Sequence, residues 1–312
     1  MPRMNLPWII TPKRKDWLEN LVMPGFDGVP ISDVLSFIAK GFRKGVMVTR
    51  ASSIAFNLLL AMIPASIFLF SLIPFVPIPN FQQEMIRLFE NILPANVYRF
   101  LESSIVDIVT RKSEGLLIIM LFATIVFSTN GIHAVINAFV VSAHSFQARS
   151  WVNQRKISLV LLLIIVFMFS LAGFIVIFGK QGLDSLVELH VIERNIVISL
   201  LIFTKWILVV LLLFLAISFL YYFAPARKTD FRFFSAGSTT ATILFILSSL
   251  GFSAYVNNFG LYNKFYGSLG TLLVVMLWLY LNSIAILIGF ELNVSIKHAK
   301  EEGRKRSLKG DS

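Results

Sequence analysis

Six apolar stretches, near residues 52–74, 116–139, 157–179, 197–220, 236–257 and 269–291, constrain this chain more than any other feature. Each is long enough to cross a hydrocarbon layer of ~30 Å, which takes about 20 helical residues. Lipid offers no hydrogen bonds to a backbone, so each stretch is expected to be a helix. Charge points to the same solvent: 14% of the 312 residues are charged, against about 25% in a water-facing domain. The expected fold is all-α, a polytopic membrane protein with six transmembrane helices and amphipathic helices at its interfaces.

Orientation follows from Lys and Arg in the connections. Twenty lie in segments 1–51, 140–156, 221–235 and 292–312, against seven in 75–115, 180–196 and 258–268. Cytoplasmic loops hold the excess in membrane proteins, so both termini are expected inside. This also accounts for the net charge of +11, because cations clustered between apolar spans belong to loops rather than to a nucleic-acid surface. No nucleic-acid partner is expected. The organisation is then a cytoplasmic N-terminal segment (1–30), a membrane domain (31–298) and a basic cytoplasmic tail (299–312), the last read as disordered from residue 300. Residues 1–30 mix prolines and charges without the apolar core of a cleavable signal, so the first span is expected to act as the insertion signal.

Two further segments have helical period. In 31–46, Ile31, Val34, Leu35, Ile38 and Phe42 form a stripe, with Lys40, Arg43 and Lys44 off it. Such a helix lies on the anionic leaflet or packs on the inner ends of the bundle. The outer segment 81–110 reads as two amphipathic helices broken at Pro94, which lacks the N–H that helix continuation needs. Ser238, Thr239, Thr240, Thr242, Ser248 and Ser249 dilute the fifth span; small hydroxyl residues let helices approach closely, so a packed interior helix is expected there.

Polar groups within the spans are the candidate functional residues, because lipid drives them to face inward. Asn130, His133 and Asn137 share one helix face at i, i+3 and i+7. With Asn57 and Asn282 they are candidates to line a polar path; the same residues also serve interhelical hydrogen bonding. The ordinary titration range of imidazole suits His133 to proton carriage as well as to packing. Arg50 opens the first span and Glu291 closes the sixth, a candidate charge pair at the cytoplasmic interface. Tyr255, Tyr262, Asn263, Tyr266, Gly267 and Gly270 crowd the last outer connection. They read either as a packed helical hairpin or as the outer gate of a ligand path.

The chain has no Cys, which excludes disulfides, thiolate metal sites and cysteine nucleophiles. No phosphate-binding glycine loop is present, so ATP is not the direct energy source of any transport. No metal, cofactor or catalytic residue is expected.

Several motifs resemble one family. They are Tyr221 to Pro225 (YYFAP) with Gly237, Gly251 to Tyr255 (GFSAY), Tyr262-Asn263, Tyr266 to Gly270 (YGSLG), Leu277 to Tyr280 (LWLY) and Gly289 to Asn293 (GFELN). Arg50-Ala51 through Ala55-Phe56 to Pro64, and Asn130-Gly131 to Asn137-Ala138, add to the match. Together, over roughly residues 35–298, they resemble the YihY/BrkB family. The resemblance implies a six-helix protein of the bacterial inner membrane. Members once carried a ribonuclease label, now regarded as a misassignment, and have been linked to export of lipids or small solutes. Phe290 departs from the pattern, standing where many relatives have a small residue before the Glu, so altered packing is expected there. The leading functional expectation is a transporter, exporter or flippase of a lipid or small solute. The alternative is a structural envelope-assembly scaffold without transport. Membrane lipids, a lipid or solute cargo, an envelope protein and further copies of the chain are the candidate partners.

Overall fold

The computed structural model describes residues 46–77, 79–92, 95–142, 150–188, 196–225, 233–258 and 262–310. Among them the order is α1 (Val46–Leu72) followed by a 3-10 turn (Ile73–Phe75), α2 (Phe81–Ile92), α3 (Ala95–Thr110), α4 (Glu114–Ser142), α5 (Trp151–Glu188), α6 (Ile196–Phe223), α7 (Ala236–Asn258) and α8 (Tyr262–Gly310). No strand occurs among the described residues. Six helices (α1, α4, α5, α6, α7 and α8) are long and apolar enough to cross a membrane. The segments 1–30 and 31–45 lie outside the described residues.

The surface identifies the solvent. Leu163, Phe167 and Phe174 on α5, Phe203 and Trp206 on α6, and Leu247 and Leu250 on α7 are each more than half exposed. A water-facing helix would carry charges there; a helix in lipid needs none. Many serine and threonine hydroxyls are satisfied within their own helices, as where Thr124 donates to the Met120 carbonyl at 2.7 Å and Ser283 to Leu279 at 2.7 Å. The backbone supplies the partners that lipid lacks.

The outer pair is two helices, α2 and α3, ending and restarting on either side of residues 93–94, which lie outside the described residues. Their strongly one-sided apolar pattern fits an interfacial position. They pack on each other, and α3 also packs on α1.

Two expectations need correction. The fifth span is not enclosed. Its small face (Ser238, Ala241, Thr242) is buried against its neighbours, while Ile243, Leu247 and Leu250 face outward. Hydroxyl residues three to four apart fall on one face and leave the opposite face apolar. The tail is not disordered from residue 300, because α8 runs unbroken to Gly310. Glu301 and Glu302 stand four residues before Lys305 and Arg306, a spacing and order that support helix.

Neighbouring spans alternate in direction, so one end of the bundle gathers the start of α1, the ends of α4 and α6, the starts of α5 and α7, and the later half of α8. The buried core concentrates at this end: Met47, Ala51 and Ile54 of α1, Ile136 and Phe139 of α4, Leu220 and Tyr221 of α6, Leu287 and Phe290 of α8.

A polar cleft at one end of the bundle

The contact between α7 and α8 sets the position of everything else at this end. Gly237 and Gly289 meet backbone to backbone. A methyl group at Gly237 would collide with the Gly289 carbonyl, and one at Gly289 would collide with Gly237 and lie 2.6 Å from the Tyr221 hydroxyl. Only glycine permits so close a crossing. The start of α7 is closed by side chains. Ser235 Oγ accepts the Ser238 N–H at 3.1 Å, and Ser238 Oγ accepts the Ser235 N–H at 3.1 Å, a reciprocal cap with serine in the usual place of glutamate. Asn293 of α8 adds its amide oxygen as acceptor for Gly237 N–H at 2.8 Å and donates to Ser235 Oγ at 2.9 Å. A buried helix end is thereby satisfied from the neighbouring helix.

Glu291, two residues before Asn293, reaches α1. Arg50 Nη2 donates to Glu291 Oε1 at 2.9 Å, Nη1 to the Ala138 carbonyl of α4 at 3.0 Å, and Nε to the Val46 carbonyl at 3.2 Å. The two side chains are 11% and 6% exposed. One planar guanidinium therefore ties α1, α4 and α8 through N–H groups on three different nitrogens, a spread that the single nitrogen of an ammonium lacks. Beside it, Phe139 stacks on Phe290 with centroids 3.9 Å apart, and Tyr221 meets both rings edge-on. The Tyr221 hydroxyl donates to the Ile286 carbonyl at 2.5 Å. Phe290 thus fills space between α4 and α6 as a ring stacked on Phe139.

Above this plug lies a cleft of about 330 Å³ between α1 and α4, lined by Arg50, Ser53, Asn57, Asn130, His133 and Asn137, with Ala134 and Ala138. Gly131 allows the two helices to come together, since a methyl group there would sit 3.1 Å from Leu58 Cδ2. The amides are held from outside the cleft. Arg155 of α5 donates to Asn130 Oδ1 at 2.6 Å, and Gln154 donates to Asn137 Oδ1 at 2.5 Å. Asn57 donates to the Ser53 carbonyl at 2.8 Å. His133 Nδ1 is buried and has no hydrogen-bond partner among the described residues. Buried polar atoms without a partner are uncommon in folded proteins; Ser218 Oγ is the other among the described residues. Arg50 is neutralised by Glu291 and Arg155 pairs with no carboxylate among the described residues, so the region carries net positive charge. Chemically the cleft lining offers amide groups and an imidazole, with the Arg155 charge behind Asn130: a setting for a polar group.

The structure does not bring all the candidates together. Asn282 lies apart, between α7 and α8. It accepts from Ser248 at 2.8 Å and donates to the Trp278 carbonyl at 2.9 Å, while the Trp278 indole N–H donates to Ser249 at 3.2 Å. That closed network is interhelical bonding. The aromatic and glycine group belongs to the opposite end, where α7 finishes and α8 begins. Tyr255 is exposed and stacks on Phe252, Gly270 is buried, and Tyr262, Asn263, Tyr266 and Gly267 fall in the first turns of α8. Arg155 and Gln154 were legible in sequence only as loop residues. Their tie to the amides had no periodic signal, because it joins different helices. No group of three or more His, Asp or Glu able to hold a metal occurs among the described residues.

The family model for virulence factor BrkB matches residues 38–311. A putative ribonuclease-like protein, YfkH, of Bacillus subtilis is 28% identical over 253 residues, covering 81% of this chain and 91% of that protein. A UPF0761 membrane protein of Idiomarina loihiensis is 26% identical, covering 67% of this chain and 71% of its own length. A UPF0761 membrane protein of Coxiella burnetii is 26% identical over 265 residues, covering 82% and 90%. No solved structure matches the chain.

Proposed function

This chain belongs to the virulence factor BrkB family of multi-pass membrane proteins, and from that premise we propose that it transports a lipid or small solute across the bacterial inner membrane without ATP. The observation that carries the reading is the cleft of Asn57, Asn130, His133 and Asn137, with its unpartnered imidazole nitrogen, set among helices otherwise faced with apolar groups. Polar side chains at membrane depth are costly and concentrate on substrate paths. The excess of Lys and Arg supports placing the cleft end, with both termini, in the cytoplasm. In this reading the cytoplasmic cleft receives the polar part of the cargo. The Arg50–Glu291 tie fixes its floor. Tyr255, Tyr262, Asn263, Tyr266, Gly267 and Gly270 form the outer gate, with about 29 residues of α8, or roughly 43 Å, between Tyr262 and Glu291. The ribonuclease-like name of the Bacillus relative is not carried over, because the cleft holds one imidazole and no carboxylate beyond the one paired with Arg50.

Purified protein in liposomes tests this. Labelled phospholipids and labelled osmolytes are offered with and without a pH gradient. Flux above that of protein-free vesicles is expected, with at least a tenfold loss in Asn130→Ala and His133→Ala variants that stay folded. Absence of flux for both cargo classes, with one stable envelope protein recovered by cross-linking, would overturn transport in favour of a scaffold.

A further inference from the structure

A second groove, of about 350 Å³, runs between α4 and α5 on the outside of the bundle, and its two ends differ in chemistry. Its walls are Ile125 of α4 and Val152 and Leu159 of α5, all exposed toward the lipid. One end is formed by the first turns of α5, with Trp151, Arg155 and Lys156. The Trp151 side chain is largely exposed, and the Arg155 guanidinium lies 6.0 Å from its ring centroid. Arg155 has one neutral hydrogen-bond acceptor, Asn130, and no carboxylate partner among the described residues. Lys156 is exposed and makes no hydrogen bond or ion pair with them. No acidic residue lines the groove.

Two cations and an indole at the membrane boundary, above an apolar trough that continues inward, match an amphiphile with a negative head. A free aqueous anion would meet the cations but gain nothing from Ile125, Val152 and Leu159. A zwitterionic lipid would fill the trough but bring a positive group to Lys156. The start of a long helix adds favourable field for negative charge. Guanidinium and phosphate oxygens suit each other in geometry, and a desolvated cation near lipid needs such a partner. We propose that this groove is a binding site for one anionic phospholipid, with its phosphodiester on Arg155 and Lys156 and an acyl chain along Leu159 and Ile125. Because Arg155 also holds Asn130, which lines the polar cleft, the bound headgroup touches the residue that orients the cleft. The site requires only the membrane setting and stands whether or not the protein transports.

Trp151 provides the readout. In full-length protein with Trp8, Trp17, Trp206 and Trp278 replaced by Phe, Trp151 fluorescence is measured in bilayers doped with brominated phosphatidylglycerol or with brominated phosphatidylcholine of the same chains. Half-maximal quenching is expected at several-fold lower mole fraction of the anionic lipid. Lys156→Gln, at an exposed position, should reduce that preference, and R155Q with K156Q should abolish it. Lys156→Arg should keep it, and Lys205→Gln, on α6, should leave it unchanged. Equal quenching by the two lipids, or a preference that survives loss of both cations, overturns the proposal. Native mass spectrometry of the chain with all five tryptophans intact, counting retained phosphatidylglycerol with and without K156Q, gives the same decision should the Trp278 replacement unfold the protein.

Discussion

Arg50 shows how little of a buried interaction is visible from chain position. Sequence places it at the depth of Glu291, because one opens the first span and the other closes the last. It gives no sign of the Ala138 carbonyl, a third partner from another helix at 3.0 Å. Breaking a buried ion pair leaves an unmatched charge and costs about 3–5 kcal/mol. Glu291→Gln and Arg50→Gln are each expected to lose that much, measured as unfolding in mild detergent. Arg50→Lys should recover little, since one ammonium cannot serve carboxylate and carbonyl from the guanidinium's separate positions. Recovery of full stability by lysine would show that charge alone matters. At Tyr221, buried between Phe139 and Phe290, removing only the hydroxyl (Tyr221→Phe) should cost about 0.5–1.5 kcal/mol. Tyr221→Ala should cost about 3–5 kcal/mol, because the cavity is added to the lost bond.

Between helices, the crossing of α7 and α8 depends on absence of side chains as much as on their presence. Gly289→Ala has no room and must push the helices apart, an overpacking cost of about 1–3 kcal/mol, with Gly237→Ala similar. Asn293→Ala leaves the Gly237 N–H unsatisfied at a buried helix start and is expected to cost about 1–3 kcal/mol. Asn293→Asp keeps the acceptor and should be milder. Thermal melts of the four purified variants in one detergent check the order. Element existence was the most legible part of this fold, since apolar length marks a spanning helix whatever its neighbours. The limits of helices were not: α5 and α8 extend well past their apolar cores, to Glu188 and Gly310, and in α8 the Lys, Glu, Arg and Ala of residues 297–306 are good helix formers that continue where hydrophobicity stops. The polar cleft was half legible. Asn130, His133 and Asn137 declare a shared face by spacing, whereas Arg155 and Gln154 join them from α5, and Asn282, alike in type and depth, bonds elsewhere.

For the molecule as a whole, sidedness is the property most open to direct measurement, since the chain contains no cysteine of its own. A thiol at exposed Thr110 (Thr110→Cys) should react with an impermeant reagent in intact cells. One at exposed Ser150 (Ser150→Cys) should react only after the inner membrane is opened. The reverse pattern would invert the bundle and move the cleft to the outer side. The tie between Arg50 and Glu291 has a further consequence, for biogenesis. Its two halves are 241 residues apart in the chain, so at about 5–20 residues per second the first waits roughly ten to fifty seconds for the second to emerge from the ribosome. Throughout that interval the nascent protein holds a guanidinium at the lipid boundary without its carboxylate, and a truncated chain holds it so for good.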